Sequence, residues 1–169
     1  MKTSASYLLA LGLALVVTDV SAQAKSSAKN AKSSGKGCAT ISGTISGTVT
    51  SPAGSSQTTV VGTVSGTLEG AVSATVTLLE PQQDGSVNLK LNHSFVTREG
   101  FVLQTADTAK LTPVAGMKNV YQQTTEYKVT GGTGRYAAAK GTFTNHGETD
   151  LGKGLLTLRY EGRICGLTP

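Results

Sequence analysis

The chain has 169 residues and a formal net charge of +5, with 21 glycines and no tryptophan. The positive excess lies at the start of the chain, because residues 38–169 carry ten Lys and Arg against nine Asp and Glu. This near-neutral body excludes a basic nucleic-acid-binding surface, which would concentrate positive charge on the folded domain.

Residues 1–24 have the three parts of a secretory signal peptide. Lys2 precedes a short apolar run over residues 7–17, and Ala22-Gln23-Ala24 forms a small-residue cleavage site. The apolar run is short for a membrane-spanning helix, which leaves an uncleaved anchor as the less favoured alternative. We expect cleavage after Ala24, export to the periplasm or the medium, and no stable membrane insertion of the mature chain.

The next segment, residues 25–37, contains only Lys, Ser, Ala, Asn and Gly. Such a composition cannot bury a core, so a disordered linker is expected there. One domain is then expected over residues 38–169, which is a typical domain length.

The two cysteines, Cys38 and Cys165, lie at the two ends of this domain. In an exported protein such a pair predicts a disulfide, and the alternative is two buried thiols. The bridge would tie the first strand to the last, as a closed barrel requires. The wide spacing, without a histidine at ligand distance, predicts no metal site.

Alternating apolar and small polar residues predict the first strands. Residues 39–50 alternate in this way, and Val60–Leu78 keep one register in which every even position is apolar or glycine. Because the register does not change, we favour one long strand over residues 58–80, bent at Gly66 and Gly70. A three-residue loop would also preserve the register, which leaves two strands as the alternative.

The clearest hairpin joins residues 87–95 and 101–111. The connection at 98–100 fits a three-residue loop with glycine in the left-handed conformation. That register sets Phe95 opposite Leu103, His93 opposite Thr105, and Leu91 opposite Asp107. His93 and Asp107 then become diagonal neighbours on the inner face.

Three further strands are predicted over residues 119–130, 140–149 and 154–165. The total is seven or eight strands with short connections, which make neighbouring strands antiparallel. So many strands in a small domain need a sandwich or a closed barrel to hide their edges. We therefore predict an all-β fold, a seven- to eight-stranded antiparallel up-and-down β-barrel.

The inner face of this barrel would carry polar side chains beside apolar ones. His93 and Asp107 are the candidate catalytic residues, since a His–Asp pair can act as a general base. One alternative places His93 near the barrel mouth in water and Asp107 beside a turn at the opposite end; another is a one-residue bulge that turns both outward. The residues predicted to contact a ligand are Tyr121, Gln123, Tyr127, Asn145 and Tyr160.

The segment Gly131–Phe143 (GGTGRYAAAKGTF) is the most specific stretch of the chain. Its glycines permit a tight turn, residues 135–140 fit one helical turn, and the sequence lacks the Gly-Lys-Ser/Thr of a phosphate loop. The pattern resembles the glycine signature of the allene oxide cyclase/dirigent barrel superfamily, whose bacterial members are commonly exported. The resemblance implies an eight-stranded calycin-type barrel with a lumen for small apolar molecules. It also implies that Gly131, Gly132, Gly134 and Gly141 are structural.

Three functions fit these observations. The first is binding of a small hydrophobic molecule in the lumen, with no cofactor expected. The second is a cyclase-, isomerase- or dirigent-like enzyme that uses His93 and Asp107. The third is a structural protein whose barrel is filled by its own side chains. A homo-oligomer is compatible with the resemblance.

Overall fold

The computed structural model describes residues 37–51 and 57–168. Eight antiparallel strands follow one another around a closed barrel, and the last strand pairs with the first. The strands are β1 (Ala39–Thr50), β2 (Thr59–Gly66), β3 (Gly70–Pro81), β4 (Val87–Thr97), β5 (Val102–Pro113), β6 (Val120–Gly132), β7 (Lys140–Asp150) and β8 (Leu155–Cys165). The predicted all-β antiparallel barrel is confirmed. Within the described ranges, no helix is long and apolar enough to span a membrane.

Several predictions concern residues outside those ranges. The signal peptide, its cleavage site and nearly all of the expected linker fall in residues 1–36, which the structure does not describe. They remain predictions.

Buried and more exposed side chains alternate along β1, β7 and β8. In β1, for example, Ile41 and Ile45 are buried whereas Thr40 and Ser42 are exposed. Successive side chains of a strand point to opposite faces, so one register places a whole set inside the barrel. The core therefore fills the lumen.

The favoured single strand over residues 58–80 is wrong, and the two-strand alternative holds. β2 ends at Gly66 and β3 begins at Gly70, with a three-residue loop between them. Both glycines have positive φ, 92° and 155°, which turns the chain back at this point. Leu68, in the middle of the loop, is only 1% exposed because it folds over the end of the lumen.

The inner register of residues 60–78 also ends earlier than predicted. Val76 pairs with Leu91, but Leu78 pairs with Lys90, so one extra residue forms a bulge in β3. Leu78 consequently lies on the outer face, and Leu79 takes the inner position at the rim. The sequence contains no sign of this bulge, since Thr77 continues the alternation.

The hairpin of β4 and β5 has the predicted register. Phe95 pairs with Leu103, His93 with Thr105, and Leu91 with Asp107. Gly100 closes the connection with a φ of 81°, as expected for a three-residue loop.

The two ends of the barrel differ. The closed end carries the β2–β3, β4–β5 and β6–β7 connections and is filled by apolar side chains from strands and connections alike, Leu68, Phe95, Leu103, Tyr136 and Ile164. The opposite end, which carries the β3–β4, β5–β6 and β7–β8 connections, is called the mouth below. The predicted disulfide is present at the closed end, where Cys38 just before β1 bonds to Cys165 at the end of β8.

Tyr160 fastens the β2–β3 loop to the closed end. Its hydroxyl donates to the Ser65 carbonyl (2.9 Å) and accepts from the Leu68 amide (3.0 Å).

We expect Tyr160→Phe to lower the free energy of unfolding by about 1–3 kcal/mol, because it leaves a buried amide unpaired. Denaturant unfolding measures this loss. Tyr121→Phe at the barrel rim is the control and should change stability by less than about 0.5 kcal/mol; an equal loss in both variants would contradict the assignment.

Candidate functional site: a cavity in the mouth half of the lumen

A cavity of about 110 Å³ occupies the mouth half of the lumen. Residues from all eight strands line it, and β5 contributes only Leu111. Its floor includes His93 and Tyr127. The side chains at its outer rim include Leu79 and Leu151, both partly exposed to solvent. The closed end is therefore filled, whereas the mouth half keeps space for a small guest.

The wall of the cavity is divided into an aliphatic side and a polar side. Strands β8, β1, β2 and β3 contribute only aliphatic side chains, Leu156, Leu158, Ile45, Val49, Val60, Val72, Val76 and Leu79. Thr58, just before β2, also lines the cavity. Strands β4, β6 and β7 contribute polar groups, those of His93, Gln123, Tyr127 and Thr149. Among the described residues that line the cavity, none is Lys or Arg.

His93 and Asp107 form the buried ionisable pair of the site. Nδ1 of His93 lies 2.6 Å from Oδ2 of Asp107, and Oγ1 of Thr105 donates to the same oxygen at 2.9 Å. The Asp107 side chain is fully buried, and that of His93 is 9% exposed. The predicted diagonal contact is confirmed, and the alternatives that placed the pair in water or on the outer face are not observed. Because a buried charge is costly unless it is hydrogen-bonded, these two donors explain how the lumen tolerates the carboxylate.

Tyr127 forms the centre of the polar floor. Its ring stacks on Phe143 with centroids 4.3 Å apart and meets the His93 ring edge-on at 5.0 Å. Its hydroxyl accepts a hydrogen bond from Nδ2 of Asn145. Burial, and to a lesser extent the negative charge of Asp107, raises the pKa of the Tyr127 phenol above its ordinary value. The hydroxyl therefore stays protonated at neutral pH.

The amide of Gln123 is held by two neighbours. Its Nε2 donates to Oγ1 of Thr125 (3.0 Å), and its Oε1 accepts from Oγ1 of Thr149 (2.6 Å). These contacts across β6 and β7 fix the orientation of the amide, so Gln123 shapes the polar side of the cavity.

Within the described part of the chain, two buried acceptors of this polar layer lack a donor. They are Oδ1 of Asp107 and Oδ1 of Asn145. Buried polar atoms are nearly always paired, so the polar layer has more acceptors than donors.

The structure brings together some of the predicted ligand-contacting residues and separates others. Gln123 and Tyr127 line the cavity with His93. Asn145 is buried behind Tyr127, Tyr160 belongs to the closed end, and Tyr121 is half-buried near the mouth. None of these three is among the described residues that line the cavity.

Thr149, like Thr58 just before β2, is a polar lining residue that the sequence interpretation missed. It shares the inner face of β7 with Phe143 and Asn145, so the same alternation identifies it when the pattern is extended to the strand end.

The glycine-rich segment forms the β6–β7 connection at the closed end. A 3-10 turn covers Gly134–Tyr136, earlier than the helical turn predicted over 135–140. A side chain at Gly132 would place its Cβ 1.9 Å from the Val102 carbonyl oxygen, so the close approach of β5 requires glycine there. The segment positions Tyr136 in the closed end. None of its residues is among the described residues that line the cavity.

Comparisons with models of protein families, with curated proteins and with solved structures give no match for this chain. Within the described residues, no group of three or more His, Cys, Asp and Glu is placed to hold a metal ion.

Proposed function

We propose that the barrel binds a small apolar molecule in the mouth half of its lumen. The observation that carries this proposal is the cavity of about 110 Å³, with one aliphatic side and one polar side. Ligand cavities are typically apolar, with a few polar groups that fix orientation. A purely structural role would instead favour a lumen filled to both ends.

The volume limits the part of the ligand that enters. A dry cavity of ~150 Å³ in another protein takes up benzene. The space here therefore fits a single small ring or a short branched chain, and a longer molecule would extend through the mouth. The rim side chains Leu79 and Leu151 would contact such an extension.

We further propose that the barrel works outside the cytoplasm and is related to the allene oxide cyclase/dirigent barrels. The signal-like residues 1–24 support export, and the disulfide between Cys38 and Cys165 is compatible with an oxidising compartment. The glycine segment at the β6–β7 connection and the eight-stranded antiparallel barrel support the relationship.

Native mass spectrometry of the protein purified from its own host tests the binding proposal. We expect a bound species whose mass exceeds that of the chain cleaved after Ala24, and which disappears on denaturation as a small apolar molecule is released. Apo protein that gains no mass when it is incubated with an apolar extract of the host would contradict ligand binding.

A second candidate is an isomerase-type enzyme, favoured specifically by the 2.6 Å contact between His93 and Asp107. In this reaction Nε2 of His93 would remove a proton from a carbon beside a carbonyl. The C–H electron pair would move into the enolate, and return of the proton to another carbon would complete the isomerisation.

Exchange of hydrogen for deuterium into cyclopentanone, in D₂O, tests this chemistry without knowledge of the natural substrate. We expect exchange faster than in buffer for the native chain and no acceleration for the double variant His93→Phe/Asp107→Val. The outer-face variant His146→Phe is the control and should match the native chain. Equal rates with and without protein would reject the enzymatic candidate while leaving ligand binding in place.

A further inference from the structure

We infer that the cavity selects neutral apolar molecules that carry one hydrogen-bond donor, a hydroxyl group above all, and that His93 Nε2 accepts this donor. The inference rests on the proposed ligand binding and specifies the chemical class of the ligand.

The hydrogen bond to Asp107 fixes the tautomer of His93. A carboxylate has only acceptor sites, so Nδ1 of His93 must donate to Oδ2 of Asp107. Thr105 donates to the same oxygen and reinforces this arrangement. In the neutral imidazole the proton then sits on Nδ1, and Nε2 is left as an acceptor. His93 lines the cavity, and Nε2 makes no hydrogen bond to the described residues, so Nε2 is the nitrogen available to a guest.

Two side-chain donors beside the cavity are already used. The Thr149 hydroxyl donates to Gln123, and the Gln123 amide donates to Thr125. By contrast, Oδ1 of Asp107 and Oδ1 of Asn145 are buried acceptors without donors among the described residues. Neither Asp107 nor Asn145 lines the cavity, so His93 Nε2 is the acceptor that a guest's donor group can reach.

The charged groups around the cavity further restrict the class of ligand that it can bind. No described lining residue is Lys or Arg, so the cavity offers no permanent cation to an anionic group. A carboxylate guest would also lie near the buried charge of Asp107. An ammonium guest cannot reach Asp107, whose side chain is fully buried, and would lose its hydration without a partner. A neutral guest avoids both costs.

Nitrogen NMR of the imidazole rings tests the inference on the native chain. The sequence contains only two histidines, so ¹⁵N-histidine labelling gives one buried and one exposed ring, His93 and His146. Cyclopentanol and methylcyclopentane are probes of nearly equal size that differ by a hydroxyl in place of a methyl. We expect cyclopentanol to shift the Nε2 signal of His93 towards that of a hydrogen-bonded acceptor. Methylcyclopentane should bind without that shift, and the His146 signals should not move.

Affinities give an independent readout. The double variant His93→Phe/Asp107→Val removes the acceptor without leaving a lone buried charge. Its affinity for cyclopentanol should fall about five- to tenfold relative to its affinity for methylcyclopentane, because one hydrogen bond is lost. His146→Phe should leave the ratio unchanged. Cyclopentanecarboxylate should bind more weakly than either probe at neutral pH.

The outcomes separate the two proposals. Binding of methylcyclopentane together with an unmoved Nε2 signal in cyclopentanol would overturn the ligand class and leave ligand binding intact. Tighter binding of the carboxylate would overturn it too. If neither neutral probe binds, both the inference and the proposed function fail.

Discussion

The double variant Cys38→Ser/Cys165→Ser should be less stable than the native chain by about 4–5 kcal/mol. The disulfide joins residues that are 127 positions apart in the sequence. Without it, the unfolded chain gains the freedom of a very long open loop, which is the main source of the expected loss. In the folded state, the bond also holds the start of β1 against the end of β8, where the barrel closes.

Denaturant unfolding of both proteins, with and without a reducing agent, measures this contribution. The native chain should fall to the stability of the double variant when it is reduced, and the double variant should not respond to the reducing agent. Amide exchange should increase first for β1 and β8 near the closed end, because the bond lies at that seam. A double variant as stable as the oxidised native chain would contradict this role of the disulfide.

The variant His93→Phe should lose about 3–5 kcal/mol, because it leaves the buried carboxylate of Asp107 without its main partner. The new ring preserves the packing of the imidazole on Phe95 and Tyr127, so the loss reports the electrostatic and hydrogen-bond contribution of the pair. Urea unfolding at pH 7 measures it. His146→Phe, on the exposed outer face, should change stability by only about 0.5 kcal/mol or less.

Adding Asp107→Val to His93→Phe should restore most of the lost stability. Replacing a buried carboxylate together with its hydrogen-bonded partner by apolar groups is often neutral or stabilising, since no charge remains to be solvated. Thr105 would still lose its acceptor, so a deficit of about 1 kcal/mol is expected in the double variant. If the double variant lost the sum of the stabilities lost by His93→Phe and by Asp107→Val alone, the two side chains would not act as a pair.

The alternation of the sequence predicts much of the barrel and its interior. Parity and the length of the β4–β5 loop together place His93 and Asp107 side by side, because the loop fixes their register and each strand has only two faces. The same rule identifies Gln123 and Tyr127 as inward-facing residues. These positions depend on local geometry, which the sequence encodes directly.

The errors arise where local patterns are ambiguous. A three-residue loop at Thr67–Glu69 preserves parity just as a continuous strand does, so the pattern over residues 60–78 fits both. The bulge beside Leu78 follows from barrel closure and not from any local signal.

Depth along the barrel is likewise a global property. Tyr160 and Tyr127 face the same lumen, yet one lies in the filled closed end and the other at the cavity floor. Parity cannot distinguish them, because it assigns a face and not a height. The staggering of eight strands around the barrel decides which inward residues reach the cavity.

The proposed binding site is tested most directly by two adjacent valines with opposite orientations. Val60 lines the cavity, whereas Val61 is 48% exposed on the outer face of the same strand. Titration of methylcyclopentane into ¹³C-methyl-labelled protein should shift the methyl signals of the cavity leucines in the native chain and in Val61→Phe. In Val60→Phe the added ring should occupy the cavity, and these shifts should be lost while the fold is retained. Equal shifts in the two variants, or none in the native chain, would contradict binding in the lumen.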